Sequence, residues 1–219
     1  MQAIDVSEVV GSVAPDRNLG VLATTASAGH RWVRVEGVPR EDVELLALRN
    51  TPLPRVAPTA SLQEVLAAIA GSTAVLLDDE PIHAITEQSL LRGAIHLVPD
   101  TPIPLGPVTT LPVDTSAGEV LNAMRAGGFR HVVLTEGDRM RSVVSLRDFA
   151  TQASTPASAE ALVRHDTPFT VRPGATYLEA ARLMNTHGVG CVPVVDQNER
   201  CVGIVTRRDL FTQLAISGE

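Results

Sequence analysis

Aromatic residues and cysteines are scarce in this 219-residue chain. Phe, Trp and Tyr make up only 3% of it, although 44% of the residues are apolar, so we predict an aliphatic core. Two cysteines are too few for the disulfide framework of a small secreted domain. Because Cys191 and Cys201 fall on opposite arms of a predicted hairpin, several residues out of register, we expect both to remain reduced thiols.

Positive charge is also in short supply. The chain has 18 Lys and Arg residues against 25 Asp and Glu, which gives a net charge of −7 at pH 7. This balance argues against proteins that hold nucleic acid or anionic lipid through a basic surface. No apolar run approaches the ~20 residues needed to span a bilayer, and no basic and then apolar leader opens the chain. We therefore expect a cytoplasmic protein that binds neither nucleic acid nor membrane.

Sequence patterns for catalysis and metal binding are missing as well. The histidines show no HxxxH spacing, the cysteines no CxxC spacing, and neither a GxSxG elbow nor a P-loop occurs. The glycines of segment 188–190 precede a predicted strand, whereas a dinucleotide fingerprint opens a helix. The sequence thus predicts a protein that is not an enzyme, with no metal site and no covalent cofactor.

What the chain does contain is a fourfold repeat. A helix-capping residue followed three places later by Glu, as in a capping box, occurs at Asp5–Glu8, Ser61–Glu64, Ser116–Glu119 and Thr176–Glu179. Apolar residues follow each pair at the i, i+3, i+4, i+7 spacing of one helical face. Successive caps lie 56, 55 and 60 residues apart. So regular a period indicates one repeated structural unit.

Each repeat is predicted to run strand, helix, strand, strand, helix. In repeat four these are residues 169–171, 176–187, 191–195, 201–205 and 210–216; repeat three has a lead strand at 108–111, a helix at 116–126, a hairpin at 131–134 and 141–144, and a closing helix opened by Ser145. Repeat one is predicted to have a helix after Asp5 and strands at 20–23 and 31–35, and repeat two a hairpin at 73–77 and 82–85.

The predicted fold class is α+β, built as two pseudo-symmetric pairs of repeats. Four prolines between residues 98 and 107 indicate a stiff connector and a domain boundary. The first pair is predicted at 1–100, with degenerate repeats 1–50 and 51–97, and the second at 101–219, with repeats 106–152 and 166–216.

Repeats three and four resemble CBS domains, the modules named after cystathionine beta-synthase. The resemblance rests on "TVRPGATYLEAARLM", "GVGCVPVVD" and "GIVTRRDL" in repeat four, and on "TTLPVDTSAGEVLNAM", "FRHVVL" and "VVSLRDF" in repeat three. Repeats one and two resemble the family through periodicity and capping. The resemblance implies two Bateman modules, a homodimer, and binding of AMP, ADP, ATP or S-adenosylmethionine to regulate a partner protein.

The resemblance also implies a ligand site at the repeat endings. The family signature, Ser or Thr followed three places later by Asp, occurs as Thr206–Asp209 and Ser145–Asp148. A carboxylate can accept hydrogen bonds from both ribose hydroxyls, and a helix start can receive a phosphate. Arg207, Arg208 and Arg147 can add positive charge for that phosphate. The implied adenine pocket consists of Thr170, Val171, Gly190, Cys191 and Val192 in repeat four and of Thr110, Leu111, Arg130, His131 and Val132 in repeat three.

The same motif also fits an ordinary helix cap, so a second interpretation stays open. In it the chain is a ligand-independent interaction or dimerisation scaffold, and the two aspartates serve only the helix starts. Repeats one and two lack the signature: Ser89 stands where repeat two would need Asp, and repeat one has residues 36–39 there, with Asp42 displaced beyond them. A ribose-binding carboxylate is therefore predicted only in the second pair.

Overall fold

The fold is mixed α+β, as predicted. The computed structural model describes residues 8–9, 11–13, 33–35, 53–72, 74–78, 83–150, 157–163 and 168–217. The chain divides into two compact units, one of Met1–Leu97 with Phe211–Glu219 and one of Val98–Leu210. Over the described ranges, none of the helices has the length and apolar character needed to cross a membrane.

The first unit contains a four-stranded sheet in the order β1-β6-β5-β4 and a separate parallel pair of β2 and β3. Its elements are β1 (Glu8–Val9), β2 (Gly11–Val13), β3 (Val33–Val35), β4 (Arg55–Val56), α1 (Leu62–Ile69), β5 (Ala74–Leu77), β6 (His83–Thr86), α2 (Glu87–Ala94) and a 3-10 turn (Ile95–Leu97). Helix α1 begins at the predicted capping box, in which Ser61 N donates to Glu64 Oε2 at 2.7 Å and Glu64 N to Ser61 Oγ at 3.3 Å.

The helix predicted after Asp5 is wrong. The described residues of that segment form strands β1 and β2, and β1 pairs antiparallel with β6. The segment EVVGSV carries three β-branched valines and a glycine, which favour extended backbone over helix and override the Asp5–Glu8 capping signal. Strand β3 matches the end of the strand predicted at 31–35, whereas the strand predicted at 20–23 lies outside the described residues.

The second unit contains repeats three and four. Its elements are β7 (Thr110–Pro112), α3 (Ala117–Gly127), β8 (His131–Glu136), β9 (Arg139–Ser145), α4 (Leu146–Ala150), a 3-10 turn (Ala159–Leu162), α5 (Tyr177–His187), β10 (Cys191–Val195), β11 (Cys201–Thr206) and the start of α6 (Arg207–Ser217). Both predicted capping boxes form, at Ser116–Glu119 and Thr176–Glu179. Helices α3 and α5 end at Gly128 and Gly188, whose positive φ values of 67° and 68° favour glycine.

The two repeats differ in their lead strands. In repeat three, β7 runs parallel to β8, and β8 pairs antiparallel with β9. The strand predicted at 169–171 in repeat four is reduced to one parallel bridge, Val171 to Val194. The physical reason is Pro193: the next ladder bond would need its N–H, and proline has none.

The core of repeat three is aliphatic, as its composition predicts. Helix α3 contributes Ala117, Val120 and Met124, and they pack with Val132, Leu134 and Val144 of the sheet and with Ala159 and Leu162 of the 3-10 turn. Strand β10 is buried along its whole length. Core packing thus fixes the hairpin of each repeat. It also fixes the first hairpin residues, His131 and Cys191, at one end of each sheet.

Candidate functional site

The signature of repeat four forms a helix cap. Thr206 ends β11, and its N–H and Oγ1 each donate to Asp209 Oδ2 at 2.7 Å. Asp209 N in turn donates to Thr206 Oγ1 at 3.4 Å. The cap uses only one carboxylate oxygen, and the Asp209 side chain lies on the exposed side of α6. The cap therefore leaves the second oxygen, Oδ1, available to accept hydrogen bonds.

Repeat three has the same pair of hydrogen bonds to one carboxylate oxygen. Ser145 N donates to Asp148 Oδ2 at 2.7 Å and Ser145 Oγ donates to the same atom at 2.6 Å. The two aspartates differ in burial, because Asp148 keeps only 8% of its surface exposed. Burying a carboxylate costs free energy unless hydrogen bonds compensate it, so Asp148 is held in a fixed position by its cap.

Each ending lies beside the start of its own hairpin. His131 is the direct ladder partner of Ser145, and Cys191 is that of Thr206. The helix starts are tied to the preceding residues: Leu146 N donates to the Arg130 carbonyl at 2.9 Å, and Arg207 N to the Gly190 carbonyl at 3.2 Å. The structure thus brings together the signature and hairpin-start residues that the sequence pairs in each repeat.

The other predicted pocket residues contribute less side-chain surface. Val132 and Val192 are fully buried, so only their main-chain groups can reach a ligand. Leu111 packs against the core of repeat three, and Thr110 beside it is exposed. The predicted lead-strand residues of the pocket are Thr110, Leu111, Thr170 and Val171. Leu111 pairs with Leu134 of β8 and Val171 bridges Val194 of β10, so these two residues lie along the hairpin strands and not at their first residues.

The two repeats meet where their hairpins begin. A Cβ at Gly190 would lie 2.7 Å from His131 Nε2, so the imidazole of repeat three lies directly against the backbone of repeat four. Arg207 is only 4% exposed, and one of its guanidinium nitrogens donates to the Val189 carbonyl at 2.8 Å. We call the set His131, Asp148, Gly190, Cys191 and Arg207 the repeat junction.

Electrostatic interactions across the junction are reciprocal. Burial and, in decreasing order, the positive charges of Arg130, Arg207 and Arg147 together lower the pKa of His131 to about 3. Burial raises the pKa of the Cys191 thiol to about 12, with Arg207 opposing the shift and Asp148 adding to it. The pKa of His131 in repeat three therefore depends on Arg207 of repeat four, and the pKa of Cys191 in repeat four depends on Asp148 of repeat three. At neutral pH the imidazole is uncharged and the thiol is protonated, so Cys191 is a poor nucleophile.

Two residues near the site were not predicted to take part in it. Tyr177 opens α5, is buried, and has its pKa raised by that burial and by the charge of Asp209. Tyr177 N donates to the Thr101 carbonyl at 3.0 Å, and Ile103 N donates to the Ala175 carbonyl at 2.9 Å. The proline-rich segment thus packs on the start of α5 and is more than a spacer. The sequence predicted only a connector here; the signal that could have indicated packing is Ile103, an apolar residue between prolines, which is buried.

Two shallow depressions open to solvent lie at the opposite end of the hairpins. One is lined by Arg172, Pro173, Asp196, Gln197 and Asn198, and the other by Glu136, Asp138, Arg139 and residues 197–200. They contain exposed ion pairs, Arg172–Glu199 at 2.9 Å and Arg200–Asp138 at 3.2 Å. Since the signature residues lie at the other end, the chemistry of the junction and not surface concavity defines the candidate site. In the part of the chain that is described, no three His, Cys, Asp or Glu residues group as metal ligands.

Repeat two has a cap but no carboxylate at the corresponding position. Thr86 N donates to Ser89 Oγ at 2.9 Å and Ser89 N donates to Thr86 Oγ1 at 3.0 Å, and both side chains are buried. The cap is neutral and enclosed, as expected for a repeat without the ligand signature. The corresponding residues of repeat one, 36–39 and Asp42, lie outside the described residues.

Comparisons with known proteins identify relatives by sequence. The uncharacterized protein MJ1225 of Methanocaldococcus jannaschii is 23% identical over 167 residues, which are 67% of this chain and 59% of that protein, so less than two thirds of it is matched. A CBS domain-containing protein of Dictyostelium discoideum is 25% identical over 120 residues, 48% of this chain and 83% of that protein.

Solved structures extend the likeness to the whole fold. The crystal structure of MJ1225 superposes with a TM-score of 0.74 at 17% identity, covering 97% of this chain and 99% of that one. An uncharacterized conserved protein of Pyrococcus horikoshii gives a TM-score of 0.65 at 14% identity, covering 98% of this chain and 100% of that one. The family model described as CBS domain matches residues 100–154 and 160–216, which are repeats three and four and just over half of the chain. The chain belongs to the CBS domain family.

Proposed function

We propose that this chain is a non-enzymatic regulatory protein whose second pair of repeats, 101–219, binds an adenosine-containing ligand. AMP, ADP, ATP and S-adenosylmethionine are the candidate ligands, and the bound state acts on a partner protein. The observation that carries the proposal is the repeat junction: two copies of the ligand signature lie beside hairpin starts that contact each other through His131 and Gly190.

The proposed contacts follow from the chemistry of the groups. The Asp209 oxygen that does not serve the cap accepts hydrogen bonds from the ribose hydroxyls, and Asp148 provides the carboxylate of the second signature. The arginines beside the start of α6 face the remainder of the ligand. The adenine ring lies against main-chain groups beside the lead segments, because Val132 and Val192 have no exposed side-chain surface.

Regulation then requires that the ligand binds one arrangement of the repeats, or of two subunits in a homodimer, more tightly than another. A ligand shifts such an equilibrium only by its difference in affinity for the two states. Because residues of both repeats face the junction, a ligand there contacts both and can distinguish their arrangements. This supports a sensor that signals to a partner by a change of shape.

Thermal unfolding with AMP, ADP, ATP, S-adenosylmethionine and NAD tests the proposal. Ligand at a hundred times its Kd adds about 2.7 kcal/mol to the free energy of unfolding, which is readily detected. Asp209→Asn and Asp148→Asn keep an acceptor for the cap but remove the charge, so we expect them to weaken binding. Glu179→Gln makes the same change in the capping box of α5 and serves as the control.

One observation favours the alternative of a ligand-independent scaffold: Asp148 and Asp209 already have structural roles as caps. A scaffold tolerates the Asn variants and shows no thermal shift with any of the five ligands. A shift that survives both Asn variants places the ligand elsewhere. A shift lost in these variants and kept in Glu179→Gln supports the sensor.

A further inference from the structure

Positive charge is concentrated around the repeat junction, although the chain as a whole is acidic. Four arginines flank the two signature aspartates, in a protein with a net charge of −7: Arg130, Arg147, Arg207 and Arg208. Three of them, Arg130, Arg207 and Arg147, act on the same imidazole, so their charges converge on one place. An acidic protein that concentrates arginines at its candidate ligand site attracts anions there.

Arg207 is the least expected of these arginines. It occupies the position that Leu146, a partly buried core residue, holds in repeat three, since each directly follows the Ser or Thr of the signature. Packing in repeat three is therefore satisfied by an apolar side chain. Repeat four buries a guanidinium instead and orients it through the Val189 carbonyl. Burying a charge costs free energy, which suggests a role beyond packing.

His131 contributes a polar group without a charge. Its Nε2 faces Gly190, and the lowered pKa of the ring, caused by burial first and by the neighbouring arginines second, keeps it neutral at physiological pH. It can then donate or accept one hydrogen bond at the junction, while the arginines provide the charge. With four arginines against the two aspartates Asp148 and Asp209, the surroundings of the junction favour negative ligand groups over positive ones.

We propose that the repeat junction selects its adenosine ligand by negative charge: it binds a phosphate-bearing nucleoside and excludes S-adenosylmethionine. This inference rests on the proposed function and narrows its ligand class. A phosphate receives charge-assisted hydrogen bonds from guanidinium groups, of which Arg207 is buried and Arg147 and Arg208 are exposed. The sulfonium and ammonium of S-adenosylmethionine meet the same arginines as like charges, which repel them.

Calorimetric titration of the full chain with AMP, ADP, adenosine and S-adenosylmethionine tests the inference. We expect AMP or ADP to bind at least about tenfold more tightly than adenosine, the size of one charge-assisted hydrogen bond. S-adenosylmethionine is expected to bind no better than adenosine. Raising the salt concentration should weaken AMP binding and leave adenosine binding nearly constant.

Charge variants identify the arginines responsible. Arg147 is exposed on α4, so Arg147→Gln should fold normally and weaken AMP several-fold without changing adenosine binding. Arg207→Leu gives repeat four the residue found in repeat three and should have the larger effect. Arg139→Gln is the matched control, because Arg139 lies at the opposite end of β9, about 17 Å along the hairpin from His131.

The outcomes separate this inference from the proposed function. If adenosine or S-adenosylmethionine binds as tightly as AMP, selection by charge is wrong while the adenosine site stands. Equal loss of AMP affinity in Arg147→Gln and Arg139→Gln also overturns it, since the effect would then reflect overall charge. If none of the four ligands binds, both the site and its selectivity are refuted.

Discussion

The neutral imidazole of His131 makes the stability of the protein depend on pH in a way that can be calculated. Its pKa is about 3 in the folded chain against 6.5 for a free imidazole. Between these values the unfolded chain binds a proton at this group and the folded chain does not. The free energy of unfolding therefore rises with pH across this window and falls as the pH drops through it.

At pH 5 the size of the effect depends mainly on the unfolded state. This pH lies 1.5 units below the ordinary imidazole pKa of 6.5, and each unit corresponds to about 1.4 kcal/mol. Protonation of His131 in the unfolded chain therefore lowers the free energy of unfolding by about 2 kcal/mol. The figure changes little if the folded pKa is 3 or 4, since the folded imidazole is neutral at pH 5 in either case. At pH 7 the same term is only about 0.2 kcal/mol.

The test compares the wild type with His131→Gln, which retains a polar side chain but cannot be protonated. Urea unfolding followed by far-ultraviolet circular dichroism at pH 8, 7 and 5, in buffers without phosphate, gives the free energies. Carboxylates titrate in both proteins, so the difference between the proteins isolates His131. Between pH 7 and 5 the wild type should lose about 2 kcal/mol more than the variant. Between pH 8 and 7 the difference should stay constant, which is the internal control.

A difference that changes by less than about 0.5 kcal/mol between pH 7 and 5 would refute the reasoning. The imidazole would then be protonated in the folded chain almost as easily as in water. In that case the imidazole could not be as buried, nor the arginines as close to it, as the junction requires. The charge argument for ligand selection would lose one of its supports.

Three further predictions follow from the same contacts. Gly190→Ala introduces a methyl 2.7 Å from His131 Nε2 and should lower the free energy of unfolding, measured in urea, by about 1–3 kcal/mol; adding His131→Ala should restore part of this loss. In the control Gly118→Ala the new Cβ has nothing within 4 Å, so the free energy of unfolding should not fall. Equal losses in both variants would contradict the contact. Because burial raises the Cys191 pKa to about 12, iodoacetamide at pH 8 should label it only on unfolding, as mass spectrometry would show; labelling of the folded chain at the rate of a free thiol would disprove this. Asp138→Ala removes the exposed ion pair with Arg200 and should change the free energy of unfolding by less than about 1 kcal/mol, so a larger loss would mean that this pair holds the turns together.

Local patterns predicted the elements of the second unit closely. The capping boxes at Ser116 and Thr176 gave both long helices, because a cap and an apolar stripe act over a few neighbouring residues. The same signal at Asp5 was wrong, since valines and a glycine favour a strand there. The lead strand of repeat four was overestimated because the missing N–H of Pro193 acts from a strand far along the sequence.

The repeat junction itself could be predicted only in part. The signatures at Ser145–Asp148 and Thr206–Asp209 are local and readable, and the family resemblance indicated which residues lie beside them. The contact of His131 with Gly190 joins two repeats and has no local sequence pattern. The position of Tyr177 near Asp209 is likewise a result of tertiary packing. The apolar spacing of helix α5 predicts only that Tyr177 is a core residue.

Comparison of the three described repeat endings helps to separate the role of the aspartates in folding from their role in binding. In repeat two, Ser89 Oγ accepts the hydrogen bond of Thr86 N at 2.9 Å and completes the capping box without any charge. A helix start of this fold is therefore satisfied by a neutral hydroxyl. Repeats three and four use a carboxylate at the same position, and Asp148 is 8% exposed, where a charge is costly. Since capping alone does not require that charge, its presence in both repeats that meet at the junction favours a ligand over a scaffold.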